Sequence, residues 1–388
     1  MSKDDVSSRT KRQRKEPVPT KTALRVERAK VPVPHAGLAF THKHQIFIAK
    51  LKRGEIWALN QLSFQGKTSV TPLLEMWPPN PGTPTKPGKT FVQHTTDLMT
   101  TLTSEWAGLP CYLDTQYLLS AGVPSAAEAE TTFGIARGMN VNCIPVTSPV
   151  FAQPFQQAIR GAVAADGRGV MLRLQVPFFN LPNCGQYITG LVNFFGISNA
   201  QVDILIDLQH RPNVVEVQQL GASFLSLLPS INEWRTVTLA AGCFPNSISD
   251  VPTGSWIPFS RSDWDGWRAV VAQRRVANLR LPSYGDYGVR CGGEPLVIPN
   301  TPAPNIRYTD SSSIWVKKGP KADGAMRAIC SDLVNQSYFL GARFSRGDAD
   351  MAQKAATTDP RNGSPEQWIQ WCTNHHLEIA ASEIRSLP

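Results

Sequence analysis

A chain of 388 residues, 41 % hydrophobic and 18 % charged, is long enough to bury a large core and ordinary enough in composition to be globular. It contains no apolar run near the ~18 residues needed to span a bilayer. The opening MSKDDVSSRTKRQRKEP lacks the apolar stretch of a secretory signal, so a cytoplasmic protein without membrane contact is expected. Most of the formal charge of +9 sits in the first 35 residues, which hold ten Lys/Arg against four acids. Residues 1–40 are therefore expected to form a flexible basic tail. Residues 1–35 would hold nucleic acid loosely through phosphate contacts, or serve only as a solubilising leader. KRQRK within it resembles a nuclear-import signal, a pattern too short to be specific. The seven cysteines, Cys111, Cys143, Cys184, Cys243, Cys291, Cys330 and Cys372, are scattered without a C-x-x-C pair, which suits reduced thiols better than disulfides or zinc.

From residue 44 apolar strand-like runs alternate with helix-period segments. HQIFIAK (44–50) predicts a strand and RGEIWALNQL (53–62) a short helix. SVTPLLEMW (69–77) is a second strand, followed by the Pro/Gly-rich loop 78–88. Leu98, Met99, Leu102 and Trp106 mark a helix leading into PCYLDT (110–115). The helix 125–137 precedes NCIPVTS (142–148), and Phe151, Phe155, Ile159 and Val163 mark the next helix. GVMLRLQV (169–176), QVDILIDLQ (201–209), RTVTLAAGCF (235–244) and NLRLPSYGDYG (278–288) complete eight strands, with helices near 185–195, over 214–228 and from Ser262, a good N-cap. Eight strands with helices between them, and no G-x-G-x-x-G or Walker loop, predict a TIM-like (βα)8 barrel over 41–388. Residues 289–388 would elaborate its final unit, with a hairpin over 305–319 and helices over 320–336 and 368–387.

Sites in such a barrel form where the strands' C-terminal ends converge. The strand ends supply Lys50, Lys52 and Arg53, Glu75, Asp114, Arg173 and Gln175, Asp207 and Asp286, expected to meet in one mouth. Glu75, Asp114, Asp207 and Asp286 are the candidate catalytic groups. As oxygen ligands they suit a hard divalent cation such as Mg²⁺ or Mn²⁺, with Lys50 or Arg173 holding a phosphate. Alternatively one carboxyl acts as general acid or base, or the set is an ion-pair plug without chemistry. In SYGDYG (283–288) the glycines around Asp286 would let the backbone approach a ligand closely, or merely shape a tight turn. Arg346 and Asp348 of FSRGD (344–348) would close over the mouth or form a polar turn. In TNHH (373–376), His375 and His376 point different ways on a helix and cannot readily share one metal, so a buried, hydrogen-bonded role is favoured. Tyr284, Arg307, Arg346, Asp348, Asn374 and His375 join Lys50, Arg53 and Arg173 as candidate ligand-binding residues.

KLKRGEIWALNQL, TPLLEMWP, a strand ending in Asp114, MLRLQV, DILIDL, VTLAAGCFP, LPSYGDYG, NIRYT, Phe344–Asp348 and WCTNHH, in this order from about His44 to Leu387, closely resemble the beta protein family of phages and bacteria. The resemblance implies a cytosolic protein tied to phage–host conflict, with a nuclease or other defence-system protein as partner. It supplies no reaction, and the basic leader and the loop at 78–88 depart from the family pattern. Three functions are carried forward. In the first, a phage-related or antiphage-defence component recognises an anionic (phosphate or nucleic-acid-like) ligand or a protein at the barrel mouth. The second is a metal-assisted phosphodiester or nucleotide hydrolase, and the third a structural phage protein.

Overall fold

The computed structural model describes residues 39–83, 86–292 and 302–388. The basic leader, with its KRQRK segment and expected nucleic-acid contact, lies outside the described residues. Eight parallel strands close into a barrel. They are β1 (Gln45–Lys50), β2 (Val70–Glu75), β3 (Cys111–Asp114), β4 (Cys143–Thr147), β5 (Val170–Gln175), β6 (Val202–His210), β7 (Thr236–Gly242) and, after the short β8 (Ile257–Ser260), β9 (Ser283–Asp286). Their order around the barrel is β1-β9-β7-β6-β5-β4-β3-β2. The TIM-like (βα)8 barrel expected from the alternating pattern is the fold. Strands buried on both faces explain the nearly continuous apolar runs, and parallel neighbours joined through helices follow from right-handed crossovers.

Alternation along each strand sends every second side chain inward. Ile46, Ile48, Leu73, Tyr112, Ile144, Val146, Met171, Leu205, Ala240 and Tyr287 fill the interior. At its N-terminal end Asp203 accepts hydrogen bonds from Tyr112 Oη (2.9 Å), Arg235 Nε (2.9 Å) and Thr236 Oγ1 (2.7 Å), closing the floor. The outward set packs beneath the helices. The helix expected to be capped by Ser262 is capped instead at Arg261; Ser262 Oγ donates to the Arg211 carbonyl at 2.6 Å, so the hydroxyl ties two loops together.

Beyond the barrel, β10 (Asn305–Thr309) and β11 (Ser313–Lys318) form the expected hairpin, and β8 adds to its edge as a third antiparallel strand. This sheet shares a second apolar core with helices Ala325–Leu333, Arg346–Ala356 and Pro365–Arg385. The last helix also packs along Arg53–Asn60 and Phe64–Ser69, filling the gap in the helical ring beside β1.

Helices 64–69 and 346–356 had no counterpart in the apolar periodicity. Both start on a serine instead. Ser63 Oγ accepts from Gly66 N at 3.0 Å, and Ser345 Oγ accepts from Asp348 N at 3.0 Å. Ser345-x-x-Asp348 is a capping signature, so FSRGD is neither a lid nor a free turn. Within it Gly347 lies under the C-terminal helix, where an added Cβ would stand 2.1 Å from the Trp371 carbonyl oxygen. Glycine to alanine in a helix ordinarily stabilises by about 1 kcal/mol. Here the overlap with backbone reverses the sign, and Gly347→Ala should cost about 1–3 kcal/mol, measured by urea unfolding.

Candidate functional site

Register sets the first row of the mouth. Lys50 of β1 lies opposite Glu75 of β2, and Glu75 opposite Asp114 of β3, so their side chains share the inward face. Arg173 of β5 lies opposite Leu205, two residues before Asp207, which puts both on that face as well. Arg173 reaches across the barrel. Its Nη1 donates to Glu75 Oε1 (2.9 Å) and Asp114 Oδ2 (2.7 Å), its Nε to Asp207 Oδ2 (2.9 Å), and its Nη2 to Tyr287 Oη (2.9 Å). Tyr287 Oη in turn donates to the Asp207 carboxylate at 2.8 Å. None of the four charged side chains is more than 3 % exposed.

Three carboxyls around one guanidinium leave an excess of negative charge out of reach of water. Burial pushes the Glu75 carboxyl above its ordinary value; Asp114 and Asp207 add to the rise, and Arg173 only partly opposes it. Burial lowers the Arg173 pKa, but Tyr287, Asp207, Glu75 and Tyr117 outweigh it and hold it well above its ordinary value. The sequence reading offered these carboxylates to a hard cation. The structure gives that place to Arg173, and among the described residues no group of three or more His, Cys, Asp or Glu side chains is placed to hold a metal ion.

Above this layer sits a rim of aromatic and cationic groups. Trp77 stacks on Tyr117 with ring centroids 4.3 Å apart, and Lys50 Nζ lies 5.0 Å from the Trp77 centroid. Tyr117 Oη donates weakly to Glu75 Oε1 (3.4 Å). Arg290 pairs with buried Glu55, and its own side chain remains 38 % exposed. Lys50, Glu75, Tyr287, Arg290, Cys291 and Thr373 line a cavity of about 20 Å³, room for roughly one water. Thr373 Oγ1 on its wall is buried without a hydrogen-bond partner among the described residues. Burial, reinforced by the nearby Arg290 charge, pulls the Lys50 ammonium down to about 8.

Asp286, the fourth expected carboxylate, is not in the mouth. It lies opposite Phe47, an outward residue of β1, and so faces the helical ring. There it lies 2.8 Å from His376 Nε2 and accepts from Gln45 Nε2 (3.0 Å) and Gly288 N (3.2 Å). Burial would raise its pKa; the His376 charge and these hydrogen bonds outweigh burial and hold it below the usual carboxylate value. Tyr284 faces outward too, donating to Asp263 Oδ2 at 2.9 Å under Trp264 and Trp267. Gly285 serves packing and not ligand approach, since an added Cβ would stand 2.6 Å from Ala240 Cβ.

The remaining expected ligand-binding residues belong to this outer cluster or to the surface. His375 Nδ1 lies 2.8 Å from Asp348 Oδ2 and its Nε2 donates to the Thr309 carbonyl (2.7 Å). His376 Nδ1 meets Thr309 Oγ1 at 2.9 Å, so the adjacent histidines diverge as expected. Asn374 accepts from Gly347 N (2.8 Å) and donates to Ala58 O (3.0 Å), fastening two helices. Arg307 donates to Val289 O (2.7 Å) with its guanidinium 4.5 Å from the Phe244 centroid. Arg346 pairs with Asp350 on the surface, and Arg53 with Glu366. Of the expected set, the mouth collects Lys50, Glu75, Asp114, Arg173 and Asp207. Tyr287, Trp77, Tyr117, Arg290 and Thr373 had not been singled out. Alternation placed Tyr287 on the face opposite Asp286, and Thr373 opens the TNHH motif; nothing local marked the other three.

The Beta protein family model matches residues 46–382, from the first interior residue of β1 into the last helix. The chain belongs to the Beta protein family. No curated protein matches this member. Among solved structures it is similar to a mutant tryptophan synthase α-subunit from Pyrococcus furiosus, at 10 % identity and a TM-score of 0.37, covering 64 % of this chain and 87 % of that one. It is also similar to the carboxyl transferase domain of Rhizobium etli pyruvate carboxylase, at 10 % identity and a TM-score of 0.33, covering 87 % of this chain and 49 % of that one. The seven cysteines are unpaired, with Cys291 the one that is not buried. No helix among the described residues is long and apolar enough to cross a membrane.

Proposed function

We propose that this Beta protein family member is a cytoplasmic recognition component of phage–host conflict whose barrel mouth binds an anionic, phosphate-bearing ligand. The observation that carries this reading is how charge is divided between the mouth's two layers. The inward acids gather on Arg173, while Lys50 and Lys52 stand nearer the rim, with Arg290 paired to Glu55 and Arg53 to Glu366. Lys52 is exposed, and the Arg53 side chain is 78 % exposed. A phosphate approaching the rim meets Lys50 and Lys52 first, with the acids buried beneath them and held by Arg173. The metal-assisted hydrolase has less support, because its ligand set would have to release a buried guanidinium before accepting a cation.

The test is anisotropy of a labelled single-stranded oligonucleotide titrated with the full-length chain at several salt concentrations. The double variant Lys50→Ala/Arg290→Ala should bind about tenfold more weakly, with a salt slope smaller by about 1 to 2. Unchanged affinity and slope would assign all binding to basic residues outside the mouth, residues 1–35 among them, and remove the mouth from the reading.

A further inference from the structure

The end of the barrel opposite the mouth carries a band of cations. Strands β5, β6, β7, β9 and β1 are consecutive around the barrel, and the segments that lead into them hold Arg168, Arg235, Arg274, Arg275, Arg280 and Lys43. Hydrogen bonds link these segments one to the next. Arg235 Nη1 donates to the Arg168 carbonyl (2.8 Å), Arg280 Nη2 to the Arg235 carbonyl (3.1 Å) and Arg274 Nε to the Arg280 carbonyl (2.7 Å). Arg275 Nη2 meets Pro388 O at 3.2 Å and lies 3.5 Å from His42 Nε2, while Lys43 Nζ donates to the Leu387 carbonyl at 2.7 Å. The band therefore runs unbroken from the start of β5 to the start of β1.

Acids compensate little of this charge. Asp203 is buried beneath Arg235, Glu233 accepts from Asn199 Nδ2 at 2.7 Å, and Asp166, beside Arg168, pairs with Arg137. Among the described residues Arg168, Arg274, Arg280 and Lys43 donate to backbone carbonyls and to no carboxylate. Capping a carbonyl requires a donor, not a charge: across the same end Asn142 Nδ2 caps the Gly108 carbonyl at 3.1 Å. Like charges held side by side repel one another, so cations where amides would serve point to an anionic partner. We propose that this end of the barrel is a docking surface for duplex nucleic acid, whose phosphates rest on the band from Arg168 to Lys43. From β5 to β1 the band crosses four strand spacings, roughly 19 Å. One phosphate covers a fraction of that length, whereas a duplex presents a charge every ~1.7 Å of its axis. A single strand would call for aromatic platforms, and the exposed aromatic rings among the described residues, Phe64 and Tyr187, lie outside the band. The surface is separate from the phosphate site proposed at the mouth and does not depend on it.

The full-length chain is titrated against a short labelled DNA duplex by anisotropy at several salt concentrations. Its arginines are also footprinted with phenylglyoxal, with and without the duplex, by peptide mass spectrometry. Bound duplex should protect Arg168 and Arg275 from modification. In the triple variant Lys43→Gln/Arg168→Gln/Arg275→Gln, which keeps a donor at each position, affinity should fall about tenfold and the salt slope by roughly 2 to 3. Two duplexes of unrelated sequence should bind alike, because the band meets backbone and not bases. The footprint is read on the native chain, so it decides the matter even if the triple variant does not fold. Protection confined to the arginines of residues 1–35 or to Arg290 would overturn the proposal, assigning the duplex to the leader or to the mouth. An unchanged slope in a folded triple variant would overturn it as well.

Discussion

Arg173→Met is expected to lose about 3–5 kcal/mol of unfolding free energy at pH 7, the largest effect of any single change at the mouth. Methionine replaces most of the buried volume, so the loss comes from charge. Glu75, Asp114 and Asp207 would face one another inside the barrel with Tyr287 Oη, Tyr117 Oη, Gln116 N and Nε2, and Gln209 N as the remaining donors. The pH dependence separates this cause from lost packing. Without the guanidinium, Glu75 loses the charge that opposes its rise, and its folded pKa climbs further above its unfolded value of about 4. A raised acid contributes stability that is fully present below the unfolded pKa and disappears as pH climbs through the folded one. The deficit of the variant should therefore be small near pH 4 and grow toward pH 7. In the wild type Glu75 has the same sign, since its pKa is already raised. Urea midpoints from pH 4 to 8 measure this directly. A deficit below about 1 kcal/mol, or one that does not vary with pH, would mean the network contributes only contact area.

The second large effect is expected at His376, on the other face of the sheet. Asp286 is 0 % exposed, and His376 Nε2 lies 2.8 Å from its carboxylate. His376→Ala should cost about 3 kcal/mol, because it removes a 2.8 Å partner from a carboxylate buried away from water. Adding Asp286→Asn should recover part of that loss, and a double-mutant cycle gives the coupling. The wild-type acid limb carries a further signature. Asp286 has a depressed folded pKa, so its contribution is present above the unfolded value of about 4 and is lost as pH falls through the folded value. That sign is opposite to Glu75, and Asp286→Asn should flatten the stability curve below pH 4. Additive single and double variants would show that the pair is not coupled.

Much of the barrel was legible because strands and helices are local objects. Ile46, Ile48 and Lys50, or Leu205 and Asp207, lie two residues apart, and that spacing is visible in the sequence. Helices 64–69 and 346–356 escaped because their apolar content is low, and their capping serines act through one hydrogen bond each. The mouth was half legible. Strand ends nominated Glu75, Asp114, Arg173 and Asp207, since convergence at the C-terminal rim is a property of the fold. Asp286 was nominated by the same rule and belongs to another cluster, because a strand end has two faces and the rule ignored which one. Trp77 and Tyr117 carry no local mark, and the importance of Thr373 comes from neighbours as much as 323 positions away, the separation of Lys50 from Thr373.

By itself the sequence determined the succession of strands and helices, the parallel closure they require and the order of segments shared with the Beta protein family, since each depends on short-range pattern and chain connectivity. Only the tertiary structure decided that one arginine satisfies three acids, that a fourth acid turns outward to a histidine, and that a half-buried lysine shares a water-sized cavity with an unpartnered hydroxyl. Those outcomes depend on side-chain direction and interatomic distance across the barrel, where a shift of one residue in register exchanges the inner face for the outer.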